Sequence, residues 1–293
     1  MGGTGNLNGD CVLRFEDVTL SFEKTKALDR ISFDVRAGET RVILGAAGSG
    51  KTMLLKTAIG LVPVDEGRIF LLGEEVTGQK EPNLFPLRAR VGVLFQEGGL
   101  FDSLTIEDNV AYPLENTLAK QARPDAAHIS ERVLEALKFV ELEETLEKFP
   151  GQLSGGMRRR VGIARAVVTE PPLVLYDSPT AGLDPITANT IMALVAKKRD
   201  SQNTASLIVT HRYQDGQLMA NFRYNPHRGQ LERRPDGRST KTGTKTAQTS
   251  GSTPGSDART VFMVLNEGRL AFEGSQSELE ACTDSYVRKF VRR

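Results

Sequence analysis

The run Gly45-Ala46-Ala47-Gly48-Ser49-Gly50-Lys51-Thr52 has the spacing Gly-x4-Gly-Lys-Thr, and each fixed residue type in it suits a polyphosphate. Glycines let the backbone turn tightly, so that the N–H groups of Ala46, Ala47, Gly48 and Ser49 converge on one point. A helix beginning at that point adds a partial positive charge. Lys51 brings a cation to the β- and γ-phosphates, and Thr52 offers a hydroxyl to Mg²⁺. Further on, the apolar run Leu173-Val174-Leu175-Tyr176 ends in Asp177. A carboxylate at a strand end can hold the same Mg²⁺, usually through a water.

These groups need rigid elements behind them. Thr40–Leu44 is a buried strand running straight into the loop, and Met53–Ile59 is a helix stopped by Gly60. Strands are also predicted within 12–35, at 67–72, at 91–95, at Leu173–Tyr176 and at 206–210, with a helix over 187–199. Residues 125–148 carry Ile129, Val133, Leu137 and Val140 at helical spacing. Strands alternating with helices predict an α/β fold with a mainly parallel core sheet, an antiparallel β portion and an inserted helical subdomain, about 97–165. A hairpin at Val261–Phe272 and a short amphipathic helix close the chain. The stretch 233–259 is rich in Thr, Ser, Gly and Lys and poor in apolar residues. It is expected to be a flexible insertion, as is the N-terminal 1–10.

Composition excludes several classes. Lys plus Arg number 38 against 37 Asp plus Glu, so no global field favours nucleic acid. A mean hydropathy of -0.29 and short apolar runs argue against a membrane span. The first ten residues lack a basic region followed by an apolar one. Two cysteines, Cys11 and Cys282, without a CxxC, fit a reducing compartment and no zinc site.

Leu153-Ser154-Gly155-Gly156-Met157, opening a helix with Arg158-Arg159-Arg160, resembles the signature motif of ABC-type ATPases. The core of the chain, 11–232 and 260–292, is thereby identified as similar to an ABC ATPase domain of the P-loop NTPase class. The resemblance implies that Ser154, Gly155 and Gly156 grip the γ-phosphate of ATP held by a second copy; a serine there is also a good N-cap. It makes Gln96 the Q-loop glutamine, with a share in Mg²⁺ binding, and Ala181-Gly182-Leu183-Asp184 the D-loop. His211 becomes the switch histidine and Phe22 the aromatic on adenine. Within the family, Val93–Phe101, Thr105–Leu114 and the ending Asp284–Phe290 look most like Mla-type phospholipid transporters.

Two features depart from the family pattern. Where the family has a general-base glutamate after the Walker B aspartate, Asp177 is followed by Ser178, whose hydroxyl is too weak a base. Glu97, Asp184 and Asp215 lie on neighbouring motif loops as alternatives. The second departure is the long path from His211 to Val261, through Phe222-Arg223-Tyr224-Asn225-Pro226 and the polar stretch. The function expected from the resemblance is an ATP- and Mg²⁺-dependent transport motor. Its partners would be a second copy, an integral-membrane permease and a lipid-binding substrate-domain protein, with no nucleic acid. It would lie in the cytoplasm, peripheral on the membrane through the permease. The alternatives are a non-transport ATPase of a cell-envelope or division complex, or an ATP-driven dimerisation switch with slow hydrolysis.

Overall fold

β1 (Cys11–Phe22) and β2 (Thr25–Arg36) pair antiparallel over almost their whole length. The computed structural model describes residues 11–23, 25–96, 98–116, 125–234 and 259–291. Short strands were the expectation for 12–35, but each of these two has twelve residues. Register shifts, one of them between Phe15 and Val18, let a long twisted ribbon keep its apolar face inward.

The chain continues through β3 (Thr40–Leu44), α1 (Lys51–Ala58), β4 (Glu66–Leu71), β5 (Glu74–Glu75), α2 (Glu81–Arg88) and β6 (Val91–Leu94). Then come α3 (Ile106–Glu115), α4 (Ala126–Phe139), α5 (Gly155–Val167), β7 (Leu173–Asp177), α6 (Pro185–Gln202) and β8 (Ala205–Thr210). It ends with α7 (Tyr213–Asn221), β9 (Phe222–Asn225), β10 (Gln230–Arg233), β11 (Thr260–Asn266), β12 (Arg269–Gly274), α8 (Gln276–Ala281) and α9 (Arg288–Val291). The central sheet has the order β12-β11-β3-β8-β7-β6. It is parallel except for β12, which returns from β11 as a hairpin. A second, antiparallel sheet has the order β2-β1-β4-β5.

β3, β7 and β8 are buried at every residue, as expected for parallel strands covered on both faces. Alternation along β7 divides the core. Leu173 and Leu175 join the antiparallel sheet and α1, whereas Val174 and Tyr176 join α3, α4 and α5. Helices α3 to α5 follow β6 and precede β7, and pack mainly on one another. Capping sets their starts: Thr105 and Asp108 form a capping box on α3, Asp125 caps α4 and Ser154 caps α5.

The stretch after His211 holds structure that sequence patterning did not assign. β9 and β10 form a hairpin against α6. Its anchor is the fully buried Arg199, which donates to Met219 O at 2.7 Å and Phe222 O at 3.1 Å. The neighbouring Asp200 accepts from Arg199 Nε at 2.9 Å, Tyr224 N at 2.8 Å and Arg259 Nη2 at 3.2 Å. Burial pushes Asp200 up, but these cations and the N–H outweigh it and leave the carboxyl below its ordinary value. The polar stretch expected at 233–259 is ordered at both ends. Arg233 pairs with Phe222, and Arg259 O accepts from Thr40 N at 2.6 Å. Residues 235–258 and 1–10 lie outside the described residues.

Candidate functional site

Beyond Leu44 the chain turns through Gly48 and Gly50, whose φ values of 77° and 102° are left-handed. At Gly50 a Cβ would lie 2.2 Å from Ala27 O, so the loop presses directly on β2. A Cβ at Gly45 would lie 2.7 Å from Leu265 O. Side chains are thereby excluded where the backbone must bend. α1 starts at Lys51 with no side-chain cap, which leaves its N-terminal N–H groups and their positive end facing the loop.

Lys51 Nζ donates to Gly45 O at 2.8 Å, Ala46 O at 2.7 Å and Ser49 Oγ at 3.3 Å. Burial lowers its pKa below the ordinary lysine value, while the Asp177 charge opposes that shift. Thr52 Oγ1 donates to Asp177 Oδ2 at 3.0 Å and Ser178 Oγ to Asp177 Oδ1 at 3.1 Å. A hydroxyl and a carboxylate together are hard oxygen donors of the kind Mg²⁺ takes alongside phosphate and water. Ser178 is itself left-handed, with φ 50°, and its N–H bonds to Val209 O at 2.8 Å. That bond ties the end of β7 to β8.

A cleft of about 500 Å³ opens over the loop, lined by Phe22, Ala27, Ala47, Gly48, Gly50, Lys51, Thr52, Met53, Gln96, Ser178 and His211. Six elements or their ends, β1, β2, α1, β6, β7 and β8, therefore converge on one space. Phe22 is 48% exposed, so it belongs to the rim of this cleft and not to the core. The triphosphate reading fits what is present: a cradle of small residues, an uncapped helix start, a lysine, and the Thr52–Asp177 pair. Asp177 sits just behind, bonded to two of the lining residues, and no carboxylate is among the described residues that line the cleft.

Ser154, Gly155 and Gly156 are not brought to this cleft. Ser154 accepts from Met157 N at 3.3 Å as the N-cap of α5, and both Ser154 and Gly155 are exposed. Of the three alternative carboxylates, Asp184 caps α6, accepting from Ile186 N and Thr187 N at 3.0 Å. The Thr187 hydroxyl, foremost among its donors, holds Asp184 below its ordinary value. Asp215 is buried, and its Oδ2 accepts from Thr180 Oγ1 and Thr210 Oγ1, each at 2.7 Å. Both carboxylates already have hydrogen-bond partners, and neither is among the residues that line the cleft. Glu97 lies outside the described residues.

Two residues hold the loops together: Asp215, which the sequence offered only as an alternative base, and Arg159. Asp215 joins the residue before His211 to Thr180, which precedes the Ala181–Asp184 loop. Arg159 donates to Phe95 O at 3.4 Å and Ala181 O at 3.2 Å, linking the segments before Gln96 and after Ser178. A cation in the middle of Arg158-Arg159-Arg160 reads as solvated surface; its burial is set only by tertiary packing.

The family model described as ABC transporter matches residues 28–181. This chain belongs to the ABC transporter family. Curated ABC relatives include a probable ribonucleotide transport ATP-binding protein of Mycobacterium leprae, 37% identical over 72% of this chain and 60% of the relative. Another is a methionine import ATP-binding protein of Rhizobium johnstonii, 41% identical over 68% of this chain and 54% of the relative. The chain therefore spans little more than half the length of these relatives. Among solved ABC structures, a dimeric ATP-binding cassette bound to ADP and Pi in a post-hydrolysis state aligns with a TM-score of 0.71. Its identity is 25%, over 90% of this chain and 98% of that one. A component of the ABC transporter complex cbiONQ from Clostridium perfringens gives the same TM-score, over 97% and 96%.

Proposed function

We propose that this chain is the ATP-binding subunit of an ABC transporter, binding MgATP in the cleft over Gly45–Thr52. The observation that carries the reading is the convergence of Phe22, Lys51, Thr52, Gln96, Ser178 and His211 on one cleft, with Asp177 bonded behind. Phe22 would meet the base, the loop and Lys51 the phosphates, Thr52, Gln96 and Asp177 the Mg²⁺, and His211 the γ-phosphate. Ser154 and Gly155, exposed at the start of α5, and the half-buried Gly156 would close on the nucleotide of a second copy. That gives an ATP-sandwich dimer, a reading supported by the dimeric cassette it resembles.

Hydrolysis is the step we expect to be slow. Ser178 is hydrogen-bonded to Asp177, and among the described residues no carboxylate lines the cleft to take a proton from water. Lys51 and His211, with Mg²⁺ when bound, would still supply the positioning and charge stabilisation on which phosphoryl transfer mostly depends.

No helix among the described residues is long and apolar enough to cross a membrane, so the transport reading requires a permease chain. A groove of about 370 Å³ between β6, α2, α3 and α5, rimmed by the half-exposed Phe85 and Tyr112, is the surface we assign to that contact. For the cargo we retain phospholipid, on the resemblance of Val93–Phe101 and Thr105–Leu114 to Mla-type ATPases. The relatives' names favour a second reading, ribonucleotide or methionine import. Purifying the chain with its permease and identifying what co-purifies tests both. Bound phospholipid supports the first, and stimulation of ATP turnover by methionine or a ribonucleotide supports the second. Failure of the isolated chain to bind MgATP by calorimetry would remove the nucleotide reading altogether.

A further inference from the structure

Residues 240 apart in sequence meet at the nucleotide loop. Ala46 N donates to Tyr286 Oη at 3.3 Å, and Tyr286 Oη donates to Leu265 O at 3.2 Å. The phenol stands where two strands part. β3 and β11 run parallel up to the Leu44–Val264 pair, after which the loop and the turn at Asn266 diverge. Tyr286 bridges the fork as one further rung, using its oxygen as acceptor on one side and donor on the other.

The rung bears on Lys51. Ala46 O accepts from both Lys51 Nζ at 2.7 Å and Ser49 N at 3.2 Å. The Ala46 residue is thus gripped at its N–H by Tyr286 and at its carbonyl by the cation that would meet the phosphates. Tyr286 is held in turn by its own segment. Asp284 Oδ1 accepts from Tyr286 N at 2.8 Å and Val287 N at 3.0 Å, and Val287 is fully buried. Phe290 packs edge-on against the Tyr286 ring at 5.3 Å, and Lys289 Nζ lies 5.6 Å from its centre.

We infer that Tyr286 is a positioning residue for the nucleotide loop, and that the segment 284–291 is a latch whose docking and nucleotide binding strengthen one another. This inference rests on the nucleotide reading of the cleft. By linkage, a contact that favours the binding-ready loop must itself be favoured when the loop is filled.

The test uses the full chain and Tyr286→Phe, which keeps the ring and its packing on Phe290 and loses only the hydroxyl. Of the two hydrogen bonds lost, the one from Ala46 N bears on the loop, and one neutral hydrogen bond predicts a threefold to roughly tenfold weaker MgATP affinity by calorimetry. In the wild type, amide exchange across 284–291 should slow when MgATP is added, and in Tyr286→Phe that slowing should be reduced. Equal affinities for the two proteins, or nucleotide-independent exchange in the wild type, would overturn the latch while leaving the cleft assignment standing. Val287→Ala serves as the second variant. It undocks the segment by removing buried volume and keeps the hydroxyl, so a matching loss of affinity supports the latch and unchanged affinity counts against it. No MgATP binding by the wild type would instead remove the nucleotide reading on which the latch depends.

Discussion

Thr52 Oγ1 and Asp177 Oδ2 are 3.0 Å apart although 125 residues separate them. Their bond joins the first turn of α1 to the end of β7. The two groups are where they are because the loop before α1 and the end of β7 both leave the same edge of the parallel sheet, the usual ligand edge of open α/β sheets.

Lys51→Ala should lower MgATP affinity by on the order of 100-fold, the scale of charge-assisted hydrogen bonds lost to a charged ligand. Its fold should persist, since Leu54, Leu55 and Ala58 seat α1 in the core. Calorimetry together with a thermal melt separates the two effects.

Ser178→Glu should raise steady-state phosphate release by the assembled transporter. A positioned general base contributes about 10²–10⁴-fold, and we expect a gain of at least about tenfold. Brisk wild-type turnover with no gain in the variant would show that another group already takes the proton.

Ser154→Arg should abolish MgATP-driven dimerisation seen by light scattering. It also removes the N-cap of α5, worth about 1 kcal/mol. Ser154→Ala removes the same cap without adding bulk, and should match the arginine variant in stability while still associating.

Asp215→Ala should destabilise the chain by about 2–4 kcal/mol in denaturant melts, because the Thr180 and Thr210 hydroxyls lose a buried acceptor. Slower MgATP-dependent closure should accompany it, since the loops carrying His211 and Asp184 are no longer tied. A variant as stable as wild type would contradict the network.

Lys198 supplies a pH prediction. It is buried beside the carboxyl end of α5, with Nζ 3.5 Å from Val167 O, and burial pushes its pKa down to about 8. The unfolded lysine titrates near ~10.4, so between about 8 and ~10.4 the unfolded state holds more protons. Stability from this group should therefore rise with pH across that window and be flat below it. Lys198→Met should be more stable than wild type at pH 7, by on the order of 1 kcal/mol, and should lack the rise. Urea titrations at pH 7 and 10 measure both.

The legible parts of this molecule are those whose chemistry is local. Gly45–Thr52 announces its own backbone, because Gly50 and Gly48 must adopt left-handed φ and Lys51 must open a helix. The apolar run before Asp177 likewise declares a strand buried on two faces. Gathering these with Phe22, Gln96 and His211 followed from the resemblance, and the cleft contains all three. The illegible parts depend on partners far away in the chain. The β9–β10 hairpin is short and half-buried, and its anchors Arg199 and Asp200 read as the polar end of a helix. Tyr286 reads only as part of the subfamily-like ending Asp284–Phe290 until β11 delivers Leu265 next to the loop. Asp215 reads in sequence as an alternative base, and only the approach of Thr180 shows it as a buried tie between loops.

The clamp at Asp200 has a practical use. Arg259 is bonded to Asp200, and Arg234 N donates to Asn221 O at 2.8 Å, one residue from the Phe222 carbonyl held by Arg199. The chain therefore departs beside the end of α7 and re-enters beside α6, two points joined through Arg199 and Asp200. Closing entropy grows only by about 0.6 kcal/mol for each doubling of loop length. A fluorescent reporter or affinity module spliced between 235 and 258 should be carried as a passenger, with α6 holding Arg259 through Asp200 and Phe222 through Arg199.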